Sequence, residues 1–372
     1  MPRPRLPRTN RSMLGDLFHR FRSKTPAPVA AAPRPWPASR HDAEGAPGAT
    51  DVTAASRAPA AVTSVREADA REMQGWLALD VRTRVAELHN VLGRRDRETD
   101  APRFLDSLVA TFEAVVRQPP LAAQRALALS RDPNAPAHRL VSLVEGDPGL
   151  GQALLRYANS AYYATGGGRV VSLHGAVQRV GTSGVHNVVL KTMVDGMLCR
   201  PGSAYQEFVN LTWQHMVRVA PIARSLAPAF GALPDESYAL GLLHDVGKLV
   251  IFDRLGELRT TLRREVIFPR PILSVVLRSL HESLGALAAL QWGLGASVAH
   301  AIGGHHRSPV PEIRDARCEL LFVSERVDLA RVRGQPIDLD RWWCDGVLLT
   351  PQEAVALALV RVLEEQEAEA SA

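Results

Sequence analysis

Beyond about residue 104, apolar residues recur at helical spacing and turn residues punctuate them. In EGDPGLGQALLRYANSAYY, Asp147 stands in the N-cap position and Pro148 at the first helical position. Leu150, Leu154, Leu155 and Ala158 follow as an apolar stripe. In SLHGAVQRVGTSGVHNVVL, Ser172 is placed to cap a short helix that ends at Gly181. A second helix from Ser183 buries Val185, Val188, Val189 and Met193. A longer helix is expected through YQEFVNLTWQHMVRVAPIARSLA, kinked or divided by Pro221. Asp235 then opens the helix that delivers GLLHDVGKL. No alternating run is long enough for a strand, so the expected fold class is all-α.

The pattern fails at the start of the chain. Residues 1–66 are rich in Pro, Ala, Arg and Ser, with too little patterned apolar surface to offset the entropy of ordering; they read as a disordered extension. Within it, SMLGDLFHRFRSK places Leu14, Leu17, Phe18 and Phe21 on one side of a short basic helix. This is read as a solvated, transient helix, with a weak membrane or partner anchor as the alternative. Residues 67–117 form a helical lead-in, with one or two exposed helices between about Arg66 and Arg95. Residues 118–328 form the helical domain, and residues 329–372 a C-terminal helical segment in which Trp342-Trp343 reads as a core anchor. Asn159-Ser160 is expected to end its helix, and Gly166-Gly167-Gly168 to form a flexible loop.

Composition sharpens this picture. Aromatics are 5% of the chain and apolar residues 46%, a balance that favours helical packing over a sandwich. The net charge of +5 comes from residues 1–24, with seven Arg or Lys and one acid; the remainder sums to about −1. The folded part therefore has no polyanion surface, which argues against nucleic acid as the partner. Cys199, Cys318 and Cys344 lie far apart and fit neither a disulfide framework nor a zinc knuckle, pointing to a reducing, cytoplasmic setting. Residues 284–304 carry no Asp, Glu, Lys or Arg. Gln291, His300 and Gly293-Leu294-Gly295 make two buried helices joined at a break the better reading than a membrane span.

The candidate chemistry lies in the histidines. His215, His244, His281, His305 and His306, with Asp245 and Asp328, are the residue types that hold a divalent ion such as Mn, Fe, Mg or Zn. Adjacent residues on a helix diverge by about 100°, so His244 and Asp245 converge only if a site lies between several helices. Lys248, one turn beyond His244, is placed to steer a phosphate or to bond a ligand carboxylate. Two readings stand against this one. His174, His186 and His300 read as satisfied structural residues, and Asp328 by itself reads as an exposed helical acid. Spacing alone leaves metal chemistry and structural use open, and it assigns no catalytic residue.

HDVGK resembles the signature of the HD superfamily of metal-dependent phosphohydrolases. Asp147-Pro148, Asn159-Ser160, residues 176–181, Trp213 with His215, GLLHDVGK, HESLGALAALQWGL and His305-His306 together resemble the HDOD (HD-related output domain) family, over roughly residues 118–328. The chain departs from the cyclic-dinucleotide phosphodiesterases of the superfamily, because HHRSPVPEI lacks their Gly-Tyr-Pro element. It also carries Met216 where the family segment has Ser. The resemblance implies a bacterial-type regulatory protein that acts through contacts with signalling proteins, without turnover. The alternative is a metal-dependent phosphohydrolase acting on a nucleotide or cyclic dinucleotide.

Overall fold

The computed structural model describes residues 60–93, 98–132, 134–160, 162–163, 168–198, 204–306, 315–344, 350, 353–360 and 362; the side chains of residues 60–69, 343 and 344 fall outside the description. The N-terminal tail helix, Cys199 and Gly166-Gly167 lie outside the described residues. Every regular element described is helical. In chain order these are α1 (Ala60–Val91), α2 (Ala101–Ala110), α3 (Leu121–Arg131), α4 (Ala137–Glu145), α5 (Pro148–Ala158), α6 (Leu173–Leu198) and α7 (Gln206–Leu226). Then come α8 (Pro234–Leu243), α9 (Val246–Leu262), α10 (Arg270–Gln291), α11 (Ala296–Gly303), α12 (Ala316–Val332) and α13 (Leu339–Cys344). Residues 353–360 are also helical.

Helix α10 is the spine, packed against α1, α9 and α11. It is the one helix among the described residues long and apolar enough to cross a membrane, and 78% of its apolar window is buried inside the protein. A helix apolar on nearly every side is what such enclosure requires. Its chain reverses through Gly293 and Gly295, at φ 68° and 95°, before α11 begins. The predicted break between two buried helices is therefore present, made by glycines in the left-handed half of the map.

Helix α1 differs from the exposed lead-in expected from sequence. It is one continuous helix, and it begins at Ala60, so residues 60–66 belong to it. Met73, Leu77, Val81, Val85, Leu88 and Leu92 form a buried seam along it, packed against α10 and α11. Each buried Leu in that seam contributes about 2 kcal/mol. Polar groups follow the seam inward: the Ser283 hydroxyl donates to Asp80, which also accepts from Arg84 at 2.7 Å.

Local signals held at most positions. The Asp147 carboxylate accepts from the amides of Gly149 at 2.9 Å and Leu150 at 3.1 Å, capping α5. Asp147→Ala is expected to lower unfolding free energy by about 1 kcal/mol, measured by urea denaturation. Asn159 ends α5; its side chain donates to the Leu155 and Val170 carbonyls and accepts from the Val170 amide, closing the loop behind it. Gly181 (φ 67°, ψ −174°) breaks α6 where a helix end was expected. Pro221 does not divide α7: buried Val219, Ala220, Ile222 and Ala223 on either side hold the helix through the lost hydrogen bond.

Two features fix the helices that reach the site. Buried Arg224 of α7 lies against the rings of Tyr157, Tyr162, Tyr163 and Tyr238, with its guanidinium 3.4 Å from Asp235 at the start of α8. Trp342, Val355 and Leu359 pack with Ile222, Leu226, Leu320 and Val323, so the C-terminal segment anchors α7 and α12. The Trp342 half of the expected core anchor is in place; the Trp343 side chain lies outside the described residues.

Candidate metal centre

Five elements converge on Asp245. His215 comes from α7, and His244-Asp245 occupies the turn between α8 and α9. His281 comes from α10, and His305-His306 from the turn after α11. Lys248 lies in the first turn of α9. Glycines permit the approach. A Cβ on Gly247 would lie 1.9 Å from the His281 carbonyl oxygen, and one on Gly241 would lie 2.9 Å from Ala220 Cα. Gly285 is matched to Ile302 of α11 in the same way, at 2.9 Å.

The Asp245 carboxylate sits among four imidazole Nε2 atoms. Its Oδ2 lies 3.5 Å from His244 and 3.9 Å from His215; its Oδ1 lies 3.7 Å from His281 and 3.8 Å from His305. Lys248 Nζ donates to Oδ2 at 2.5 Å, the carboxylate contact predicted for it. Burial is nearly complete, with His244 at 0% and Asp245 at 1% exposure.

The outer nitrogens define the tautomers. His244, His281 and His305 each direct Nδ1 at a backbone carbonyl, of Gly241, Leu277 and Ile302, at 2.6–2.8 Å. A carbonyl only accepts, so Nδ1 carries the proton, and in the neutral rings of His244 and His281 Nε2 presents a lone pair inward. His215 does the same through Asp328, at 2.6 Å. Burial pushes His244 down to about 4 and His306 to about 3, and holds His281 well below its ordinary value. These three rings are neutral at pH 7, the form in which imidazole binds metal, while Asp245 draws His305 above its ordinary value against the burial that lowers it. Burial alone would raise the Asp245 carboxyl, but the Lys248 ammonium holds it well below the usual carboxylate range.

Lone pairs therefore face lone pairs. Asp245 Oδ1, His281 Nε2 and His305 Nε2 are buried without a hydrogen-bond partner, and the His215 and His244 Nε2 atoms meet at 3.3 Å. Orphaned acceptors of this kind carry a desolvation penalty unless a cation lies between them. Separations of 3.5–3.9 Å are too long for hydrogen bonds and fit the edges of a coordination shell with bonds of about 2.1 Å. Two overlapping groups can hold an ion: Asp245, His281, His305 and His306, and His215, His244 and Asp245, with ligand atoms in each within 4.8 Å of one another. The donor set of imidazole and carboxylate suits Mn, Fe or Zn, with Mg least served by nitrogen.

Asp328 is not in either group. Both its oxygens are engaged, by His215 Nδ1 and by Arg218 at 2.8 and 3.1 Å, so it stands behind His215 and orients that ring. It is 3% exposed rather than an exposed helical acid. Glu325, which sequence reasoning missed, borders the centre on the same helix: its carboxylate lies 3.3 Å from His306 Nδ1. Its signal was available, because Glu325 and Asp328 are three residues apart on one helix face. Glu282 was also missed, and accepts from the His306 amide at 3.0 Å. Of the histidines read as structural, His186 bonds Ser130 at 3.0 Å, between α6 and α3.

An all-helical domain with His-Asp at a helix junction and further histidines closing around it defines an HD-type protein. More narrowly, the chain belongs to the HDOD family: the model of the HDOD domain matches residues 116–308, just over half of the chain. A solved structure of a candidate phosphohydrolase from Shewanella amazonensis is similar at 20% identity and TM-score 0.52, covering 68% of this chain and 94% of its own. A candidate metal-dependent phosphohydrolase from the same organism is similar at 16% identity and TM-score 0.51, covering 68% and 98%. An HDOD domain protein of unknown function from Geobacter sulfurreducens follows at 20% identity and TM-score 0.49, covering 70% and 96%. The likeness to the two Shewanella structures shows the shared fold. No curated protein matches the sequence.

Proposed function

We propose that this chain is a soluble, cytoplasmic signal-transduction protein whose HDOD domain works through contacts with signalling proteins, without turnover. A buried divalent metal would serve it as an internal brace. The observation that carries this reading is the closure of the centre: His215, His244, Asp245, His281 and His305 are at most 3% exposed. Structural metal sites are closed, whereas catalytic ones keep a position open to water or substrate. The missing Gly-Tyr-Pro element after His305-His306 points the same way. His215, His244 and Asp245, and Asp245, His281, His305 and His306, would hold the ions.

The second reading, a phosphohydrolase acting on a nucleotide or cyclic dinucleotide, draws on the completeness of the ligand series. A bound metal would supply Lewis acidity and an activated water. In that reading His306 and Lys248, with side chains 28% and 14% exposed, form the edge that an incoming anion meets. The two readings separate in one assay. Purified protein supplied with Mn, Fe or Mg is expected to release no product from nucleotides or cyclic dinucleotides beyond the His244→Ala background. Hydrolysis that disappears in His244→Ala overturns the regulatory reading.

A further inference from the structure

A second cluster of ligating side chains lies outside the centre. His300 of α11, Asp315 at the N-cap of α12 and Cys318 in the first turn of α12 bring an imidazole nitrogen, a carboxylate oxygen and a thiol sulfur within 4.8 Å of one another. They come from the end of α11 and the start of α12, which are separated by residues 304–315, so the fold, not the spacing, assembles them. We propose that His300, Asp315 and Cys318 form a thiolate-bearing site for a zinc-type divalent cation, distinct from the buried centre.

Three observations carry it. The donors are mixed N, O and S, a set that selects borderline or soft ions over Mg or Ca. Asp315 is held in place: its Oδ1 caps the Arg317 amide at 2.9 Å, and Arg317 grips the carboxylate along its side. Oδ2 accepts from Arg317 Nη2 at 2.8 Å and from Nε at 3.1 Å, so an ion would share this carboxylate with the guanidinium. Cys318 stands in the first turn of α12, where the helix end favours a thiolate, and its thiol is turned to the His300 and Ala301 carbonyls at 3.9 and 3.7 Å, bonds that metal binding would replace. Room for the sulfur comes from Gly304, where an added Cβ would lie 3.1 Å from Sγ. Binding would form the sulfur–metal bond and release the thiol proton to solvent.

The position gives the site a consequence. α11 leads into His305-His306, and α12 carries Glu325, which borders His306, and Asp328, which orients His215. An ion at His300, Asp315 and Cys318 ties those two helices together at their near ends. Occupancy of the outer site therefore fixes how these two acids stand against the centre.

Cobalt(II) tests the site on its own, because the centre offers only nitrogen and oxygen. Titration of the reduced full-length protein with Co²⁺ is expected to raise a saturable thiolate-to-cobalt charge-transfer absorption in the near ultraviolet. The band should survive in His244→Ala and in the Cys199→Ser/Cys344→Ser double variant. It should be lost in Cys318→Ser and in Cys318→Ala, and weakened in His300→Ala, with helical circular dichroism retained. A wild-type protein without the band, or a band that persists in both Cys318 variants, overturns the proposal. Either result leaves the reading of the buried centre untouched.

Discussion

Replacing Asp245 with Asn is expected to abolish metal uptake at the buried centre. Asp245 is common to both ligand groups, so its loss removes a donor from each. In the metal-free protein the substitution has two opposed effects: it removes the counter-ion of Lys248, and it offers donors to the facing nitrogens. The asparagine carbonyl can still accept from Lys248, now 2.5 Å from Oδ2. The amide hydrogens would point at the His281 and His305 Nε2 atoms, which are buried without a hydrogen-bond partner. Satisfying such an acceptor is worth about 1 kcal/mol each. Metal, by contrast, stabilises the wild type by about 4 kcal/mol when supplied at about 1,000 times its dissociation constant. In a Cys318→Ala background, which lacks the outer thiolate, thermal unfolding with and without Mn²⁺ should therefore show a shift when Asp245 is present and none in Asp245→Asn. Asp328→Asn should keep a shift, with affinity reduced about 10–100-fold, because that acid only orients His215. An unchanged metal-induced shift in Asp245→Asn would sink the metal reading of the centre.

The convergence of the candidate ligand residues was legible because their chemistry is rare on helices and their order matched a family pattern. Which ligand faces which was not. Asp328 read equally well as a ligand and as a surface acid, and only its contact with His215 Nδ1 places it behind the ring. Caps and glycine breaks at Asp147, Gly181 and Gly293-Leu294-Gly295 were legible because they depend on local backbone chemistry. The burial of α1 was not, because its seam runs through charged neighbours and becomes a core only when α10 lies against it. His300 and Cys318 meet for the same reason: their partnership exists in the packing of α11 on α12 and nowhere in the spacing.

Gly247→Ala should be the most damaging Gly→Ala change among the described glycines. The added Cβ would fall 1.9 Å from the His281 carbonyl oxygen and 2.6 Å from the Gly285 nitrogen, both backbone atoms of α10. No rotamer relieves such a clash; α9 must move off α10. Overpacking a core typically costs about 1–3 kcal/mol through side-chain rearrangement, and displacing a backbone belongs at or above the top of that range. The movement would also part the Asp245–His281 pair, now 3.7 Å apart, so metal uptake should fall with stability. Gly256 in the same helix supplies the control, since nothing lies within 4 Å of its added Cβ. Gly256→Ala gains helix propensity and loses unfolded-state freedom, and should stabilise by about 0.5–1 kcal/mol. Chemical denaturation of the two variants is thus expected to give shifts of opposite sign from one substitution type in one helix. Equal shifts would mean that the close crossing of α9 and α10 is not what assembles the centre.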